Sequence, residues 1–228
     1  RETPHYPLPV TAERTSMGAG GNVAANLAAL GPEKIYAVSL IGDDWRGMLL
    51  RSLIKKSGIS DEYIIETEGR FTNAYCKPMR HGISSTVYED PRLDFENRCP
   101  ISEETENRVI EYLRELSTKV SVLCVADQFR YGIVTDRVRE EIISLAKKGL
   151  TVICDSRYNI GKYTECILKP NEVECWRAVY NNDGFINATE EQFLEAAKAL
   201  AAKNNVKVFC TLGDKGSFVT DGKDSKRI

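Results

Sequence analysis

Two asparagines four positions apart, Asn22 and Asn26, follow the glycine pair Gly20–Gly21 at the head of a run of small apolar residues, GGNVAANLAALG. On a helix that spacing puts both amides on one face, one turn apart. Glycines let a ligand come close to the backbone, and the N–H groups of a first helical turn are unpaired donors. Amides and bare N–H groups together can hold several hydroxyls at once, which is what a sugar presents. The same residues also suit a simpler arrangement, with Asn22 as an N-cap, close-packing alanines and Gly31 as the C-cap.

Two further clusters lie near the other end of the chain. Thr211, Gly213 and Gly216 form a glycine-containing turn after an apolar run, where backbone N–H groups and the threonine hydroxyl can surround phosphate oxygens. Gly216 fits a plain hairpin turn equally well. Asn171 and Glu174 stand three apart after Pro170, the spacing of an N-terminal capping box. A dinucleotide-binding fingerprint is excluded: Gly18-Ala19-Gly20 would need a third glycine where Val23 stands, and the preceding Thr11–Met17 is too polar for a buried strand.

The elements that must position these residues follow from the hydrophobic pattern. Lys34–Ile41 reads as a buried strand, and Trp45–Lys56 as a helix closed by Gly58. From Ile64 to about Asn97 the pattern turns to short half-polar strands, with Pro78 confining the second to an edge. Strand and helix then alternate. Glu103–Leu116 is helical, Val120–Ala126 a strand, and Thr135–Lys148 a helix closed by Gly149. Leu150–Cys154 and Cys166–Lys169 are strands, Thr189–Lys203 is a helix with a Thr189–Gln192 capping box, and Val206–Leu212 is a strand. Such alternation argues for a parallel sheet covered on both faces, with ligands at the carboxyl ends of its strands. Asp127, Asp155, Asn171 and Thr211 all fall there.

Composition narrows the classes. The chain has 228 residues and a formal net charge of −2, from 31 basic and 33 acidic residues, so no electrostatic footprint points to nucleic acid. Its apolar runs are strand-sized, which excludes a membrane-spanning helix, and no signal peptide is visible. Seven cysteines show no C-x-x-C pair and no histidine partners at metal spacing; a reducing, cytoplasmic setting is expected.

The segment Gly20–Gly31 closely resembles the sugar-binding glycine motif of the ribokinase-like family, the phosphofructokinase-B group of carbohydrate kinases. Gly42-Asp43-Asp44-Trp45-Arg46-Gly47 is similar to the family's Gly-x-Asp-x-x-Gly, Asn171–Glu174 to its Asn-x-x-Glu, and Thr211–Gly216 to its Thr-Leu-Gly-x-x-Gly. The four motifs stand in the family's order. The resemblance implies a ribokinase-like three-layer α/β sandwich with a mostly parallel central sheet. It also implies a small β-sheet lid over about 64–97, pairing between subunits in a homodimer. It implies transfer of the γ-phosphoryl group of ATP to a sugar or sugar phosphate. Gly20, Gly21, Asn22 and Asn26 would position the acceptor. Thr211, Gly213, Gly216, Asn171 and Glu174 would serve the nucleotide, and Glu174 would hold Mg2+ through water, a sensible mode for an ion that dehydrates reluctantly.

Pro7-Leu8-Pro9-Val10 and Arg92-Leu93-Asp94-Phe95-Glu96 look like one subgroup, the bacterial kinases that phosphorylate D-glycero-D-manno-heptose 7-phosphate at the anomeric hydroxyl. Arg92 would take the substrate's phosphate, as arginine does in bidentate fashion; it equally suits a surface ion pair. Gln128, Ser156 and Arg157 depart from the subgroup's pattern, so another sugar or nucleoside kinase, or a non-catalytic sugar-binding protein of this fold, stays open. The family's opening strand with its sugar-binding aspartate and its closing Gly-Ala-Gly-Asp motif do not occur within 1–228. The resemblance therefore implies one incomplete kinase domain whose catalytic base lies outside these residues.

Overall fold

The computed structural model describes residues 8–82 and 86–228. Pro7 of the subgroup stretch and Ser84–Ser85 of the third expected lid strand fall outside them. The first helix, α1, spans Gly18–Ala29 and so begins before the glycine pair. Asn22 is therefore inside the helix and does not cap it; Met17 stands at the N-cap position without a side-chain hydrogen bond. The other end is as expected, with Gly31 at φ 73° donating to the Ala28 carbonyl at 3.1 Å.

A strand, β1 (Ser39–Gly42), leads into α2 (Trp45–Lys56), and β2 (Ile64–Thr67) pairs parallel with β1. This corrects the expected lid boundary: β2 belongs to the body of the protein. Its two consecutive isoleucines, Ile64 and Ile65, are both buried, as in a strand covered on two faces. Asp44 caps α2, accepting from the Gly47 N–H at 2.9 Å, while its second oxygen accepts from the Thr72 N–H at 3.2 Å and from Arg46 at 2.8 Å. Burial opposes the charge, yet these donors hold the carboxyl below its ordinary range. The aspartate of the second motif thus fastens the entry of the lid to the start of a helix.

The lid consists of β3 (Ala74–Cys76), β4 (Met79–His81), β5 (Val87–Glu89) and β6 (Leu93–Phe95), in two antiparallel pairs, β3 with β6 and β4 with β5. Pro78, which has no N–H for a ladder, separates β3 from β4; its carbonyl accepts from the Asp90 N–H at 2.9 Å.

The remainder alternates as the pattern predicts: α3 (Glu103–Ser117), β7 (Val122–Asp127), α4 (Asp136–Lys147), β8 (Thr151–Ser156), β9 (Ile167–Leu168), α5 (Glu172–Tyr180), α6 (Glu190–Asn204) and β10 (Val208–Thr211). Ser102, Thr135, Asn171 and Thr189 cap the four helices with their side chains. An antiparallel extension, β11 (Ser217–Thr220) and β12 (Ser225–Arg227), completes a sheet in the order β12-β11-β10-β9-β8-β7, whose four strands β7 to β10 are parallel.

The two faces of this sheet differ. On one, Val125, Val152, Cys154, Leu168, Val208, Cys210 and Phe218 are buried against α3 to α6, with Val109, Val138, Ile142, Ala197 and Leu200 opposite. The alternating residues of the other face are less covered: among the described residues Val122 remains 46% exposed and Phe209 36%. There α1 lies over β7, where a side chain added at Gly20 would stand 3.6 Å from the Ala126 Cβ. Coverage of both faces, expected from the sequence, is complete on one. A second, smaller cluster joins Ile41, Ile54, Ile59 and Ile64 with Met17, Ala24 and Ala28 of the α1 region.

Candidate functional site

Parallel strands end at one edge of a sheet, and here each delivers polar groups to it. Asp127 ends β7, Asp155 and Ser156 end β8, Lys169 follows β9, and Thr211 ends β10. The N-terminal half of α1 reaches the same edge through the contact of Gly20 with Ala126, the residue before Asp127. Asn22 and Asn26 are both solvent-exposed on that helix. Gly21 is required for the entry: a Cβ there would stand 2.2 Å from the Met17 Cβ. Among the described residues no side chain caps α1, which leaves the N–H groups of its first turn as donors for a ligand.

Asn171 and Glu174 form the capping box their spacing allows. The Asn171 side chain accepts from the Glu174 N–H at 2.8 Å, and Glu174 Oε2 accepts from the Asn171 N–H at 2.9 Å. Burial, with the nearby charge of Asp155, raises the Glu174 carboxyl above its ordinary value despite that bond. Asn171 also bridges to Thr211, whose N–H donates to the Pro170 carbonyl at 2.9 Å. Two motifs forty residues apart in sequence thus share one point of the edge. Gly213 and Gly216, at φ 63° and 87°, occupy the left-handed region that the turn after Thr211 demands, and the Leu212 N–H closes it on the Gly216 carbonyl at 2.8 Å.

The two aspartates at the edge have different surroundings. Asp127 is buried, and one of its oxygens accepts from Ser156 Oγ at 2.7 Å, Tyr163 OH at 3.2 Å and Asn159 Nδ2 at 3.3 Å. It holds the β8 turn in place. Burial and the Asp127 charge push the Tyr163 hydroxyl far up, so it stays a donor. Asp155 is more open, paired with Lys169 Nζ at 2.7 Å and accepting from Gln128 Nε2 at 3.0 Å.

Lys169 and Gln128 are the members sequence reasoning left without a role. The signal for Lys169 was a cation closing an apolar strand just before Pro170-Asn171, and Gln128 stood where the subgroup pattern has tyrosine. Among the described residues Arg92 makes no hydrogen bond or ion pair with this edge group. Its guanidinium is held by both oxygens of Asp94, at 2.6 and 2.7 Å, and lies 4.3 Å from the centre of the Tyr75 ring. That is the ion pair the sequence also allowed.

The fold and the matched sequence relatives agree. Over 99% of its length the chain superposes on Escherichia coli phosphofructokinase-2 in complex with fructose-6-phosphate, with a TM-score of 0.71, 18% identity and 72% of that chain covered. Arabidopsis thaliana ribokinase complexed with ribose and ATP matches 92% of the chain, with a TM-score of 0.65, 20% identity and 66% of that chain covered. At such identities the likeness concerns the ribokinase-like fold. Among curated proteins, the bifunctional protein HldE of Geobacter sulfurreducens is 29% identical over 206 residues, covering 88% of this chain and 41% of the relative. The chain spans about two fifths of the length of that relative. The model of the pfkB family carbohydrate kinases matches residues 7–228. Four motifs in order, a mostly parallel sheet with its polar edge, and a match across nearly the whole chain lead to one conclusion: this chain belongs to the pfkB family of carbohydrate kinases.

Proposed function

We propose that the chain is part of a kinase that moves the γ-phosphoryl group of ATP to a sugar or sugar-phosphate hydroxyl. The favoured acceptor is D-glycero-D-manno-heptose 7-phosphate, phosphorylated at the anomeric hydroxyl. The observation that carries the reading is the convergence of the open first turn of α1, the Asn171–Thr211 bridge and the Lys169–Asp155 pair on one sheet edge. The subgroup-like stretches around Leu8–Val10 and Arg92–Glu96 support the heptose acceptor, as does the likeness to the bifunctional relatives. In this reading Asn22 and Asn26, with the backbone at Gly20 and Gly21, hold acceptor hydroxyls. Thr211 and the turn N–H groups at Gly213 and Gly216 hold nucleotide phosphates, and Lys169 adds positive charge beside them. Arg92 reaches the substrate's phosphate by exchanging Asp94 for it.

The residues present suit Mg2+. Glu174 spends one oxygen on the Asn171 N–H, and burial, with the charge of Asp155 beside it, raises its carboxyl against the opposing pull of that bond, Lys169 and Arg157. Asn171 and Glu174 would hold the ion through water, and the ion when bound neutralises charge on the phosphates. The acceptor hydroxyl must lose its proton as the phosphoryl group arrives. Asp127 is committed to the β8 turn and Asp155 to Lys169, so neither is assigned that proton. In this reading the base belongs to a Gly-Ala-Gly-Asp segment outside 1–228, which is one incomplete kinase domain acting in the cytoplasm.

The test of acceptor recognition is Asn26→Leu. Leaving a sugar hydroxyl unpaired should weaken acceptor binding by about 1–3 kcal/mol. Calorimetry with heptose 7-phosphate checks this, and an unchanged affinity removes Asn26 from the site. A homodimer through the lid is supported by the exposed Met79, Val87, Tyr88 and Leu93 on its strands. Analytical ultracentrifugation should then find a dimer that Tyr88→Glu dissociates; a monomer in both rejects that assembly.

A further inference from the structure

A cavity of about 250 Å³ opens between the turn after β7, the start of α4, the turn after β8 and the stem that runs from the lid to α3. The charged side chains lining it are Arg130, Arg139 and Asp136. Arg139 is only 7% exposed, and its guanidinium lies 5.7 Å from the centre of the Tyr163 ring. Among the described residues that guanidinium donates one hydrogen bond, from Nη1 to Asp136 Oδ1 at 2.5 Å, and its Nε is buried without a partner. A buried guanidinium with donors left over calls for an acceptor. Arg130 is exposed at the rim, 5.1 Å from the centre of the Tyr158 ring, and among the described residues it has no hydrogen bond and no ion pair.

The walls are fixed without help from a ligand. Arg70 donates to the Pro100 carbonyl at 3.1 Å and to the Tyr131 carbonyl at 2.8 Å, which holds the lid stem against the turn after β7. Asn159 is set by its N–H on Ser156 Oγ at 3.1 Å and its side-chain amide on Asp127 at 3.3 Å. Thr135 Oγ1 caps α4 by accepting from the Val138 N–H at 3.2 Å, and the Thr135 carbonyl takes the Arg139 N–H at 2.9 Å. The N–H groups of Asp136 and Arg137 have no partner among the described residues, so the positive end of the α4 dipole adds to the arginines. The carboxylates around the cavity are otherwise engaged. Glu106 is bonded to Thr135 and Arg137, and Asp127, whose charge also reaches Arg139, takes Ser156, Asn159 and Tyr163.

We propose that this cavity binds a small monocarboxylate between Arg139 and Arg130, at a site separate from the acceptor and the nucleotide. Arg130 and Arg139 against Asp136 leave a single positive charge on the lining, which a monoanion balances. A guanidinium edge and a carboxylate are both planar and match paired donors to paired oxygens. Pro100, Tyr131 and Val134 supply apolar wall for a short carbon chain, and the cavity volume limits that chain to a few atoms. Asn159 Oδ1, which accepts no hydrogen bond among the described residues, is available to a hydroxyl on the same acid. None of the lining residues belongs to the groups proposed above for the acceptor, the nucleotide or the metal.

The experiment is calorimetric titration of the chain with sodium lactate, compared with the neutral lactamide and with inorganic phosphate. Lactate should bind with a Kd below about 10 mM, a range in which lactamide should not bind. Arg130→Ala removes an exposed side chain, so the fold should persist while lactate affinity falls about fivefold or more. Arg139→Lys keeps the buried charge but loses the planar edge, and should weaken lactate at least as much. Circular dichroism checks that this second variant is folded; if it is not, Arg130→Ala decides alone. ATP affinity should stay within about twofold in both variants. Absence of lactate binding, lactamide binding as well as lactate, or affinity unchanged in either folded variant overturns the proposal. So does phosphate binding more tightly than lactate, which would make this a phosphate site. A parallel loss of ATP affinity overturns it too, by joining the cavity to the nucleotide site. Every arm reads binding, so absence of kinase turnover bears on the proposed function and leaves this test standing.

Discussion

Residues 1–228, supplied with ATP, magnesium and heptose 7-phosphate, are expected to form product at no more than about a hundredth of the rate of a polypeptide extended through a Gly-Ala-Gly-Asp motif. A positioned base contributes roughly 10²- to 10⁴-fold when an attacking hydroxyl must be deprotonated, and a nearby anion-binding turn adds to that. Within these residues no Gly-x-Gly-Asp occurs. The aspartates at the sheet edge are otherwise engaged, Asp127 with three donors on one oxygen and Asp155 with Lys169 at 2.7 Å. A coupled assay for ADP, run on both polypeptides, decides it. Rapid turnover by 1–228 would mean that Asp155 leaves Lys169 and serves as the base, with Asp155→Asn the variant to confirm it.

Glu174→Gln, made in the extended polypeptide, should lower kcat by about 10- to 100-fold while changing ATP affinity much less. Glutamine keeps the shape and still accepts from the Asn171 N–H, so the capping box survives and α5 should stay folded. What it loses is the charge that orders water around a divalent ion. Steady-state kinetics against magnesium concentration separates the cases: a variant as fast as the parent, or activity indifferent to magnesium, would leave Glu174 a helix cap and nothing more.

Much of this was legible in the sequence because the two periodicities are strong where the fold is most regular. The helix from Trp45 to Lys56 matches its expected bounds, and Thr189 with Gln192 forms the box its spacing announces. Asn171 to Glu174 was readable both as cap and as site, and the geometry shows the cap. Three features were harder. The start of α1 came earlier than expected, because Gly18 at φ 71° and Gly21 against Met17 begin the helix by backbone shape, with no capping side chain to announce it. The strand Ile64–Thr67 was grouped with the lid by its polar tail, whereas its parallel partner at Ser39–Gly42 lies across a helix and leaves no local trace. The hairpin of β11 and β12 is short and its second strand polar, and the chain reverses in a turn where Asp221 Oδ1 accepts from the Lys223 and Asp224 N–H groups. Lys169 and Gln128 became visible only once the strand ends were side by side.

The two hydrophobic clusters have a thermodynamic consequence. Helix α1 rests on the smaller one, through Met17, Ala24 and Ala28, while Asn171, Glu174 and Thr211 ride on elements of the larger. Strand β2 feeds both, Ile64 turning to one and Ile65 to the other. A region with few buried apolar groups opens at lower free energy than the sheet beside it, and α1 has no fully buried residue. A sugar held by α1 and facing a nucleotide on the larger core would bridge the two clusters. Its binding energy would then appear as added resistance of the smaller unit to local unfolding, growing with RT ln(1 + [L]/Kd).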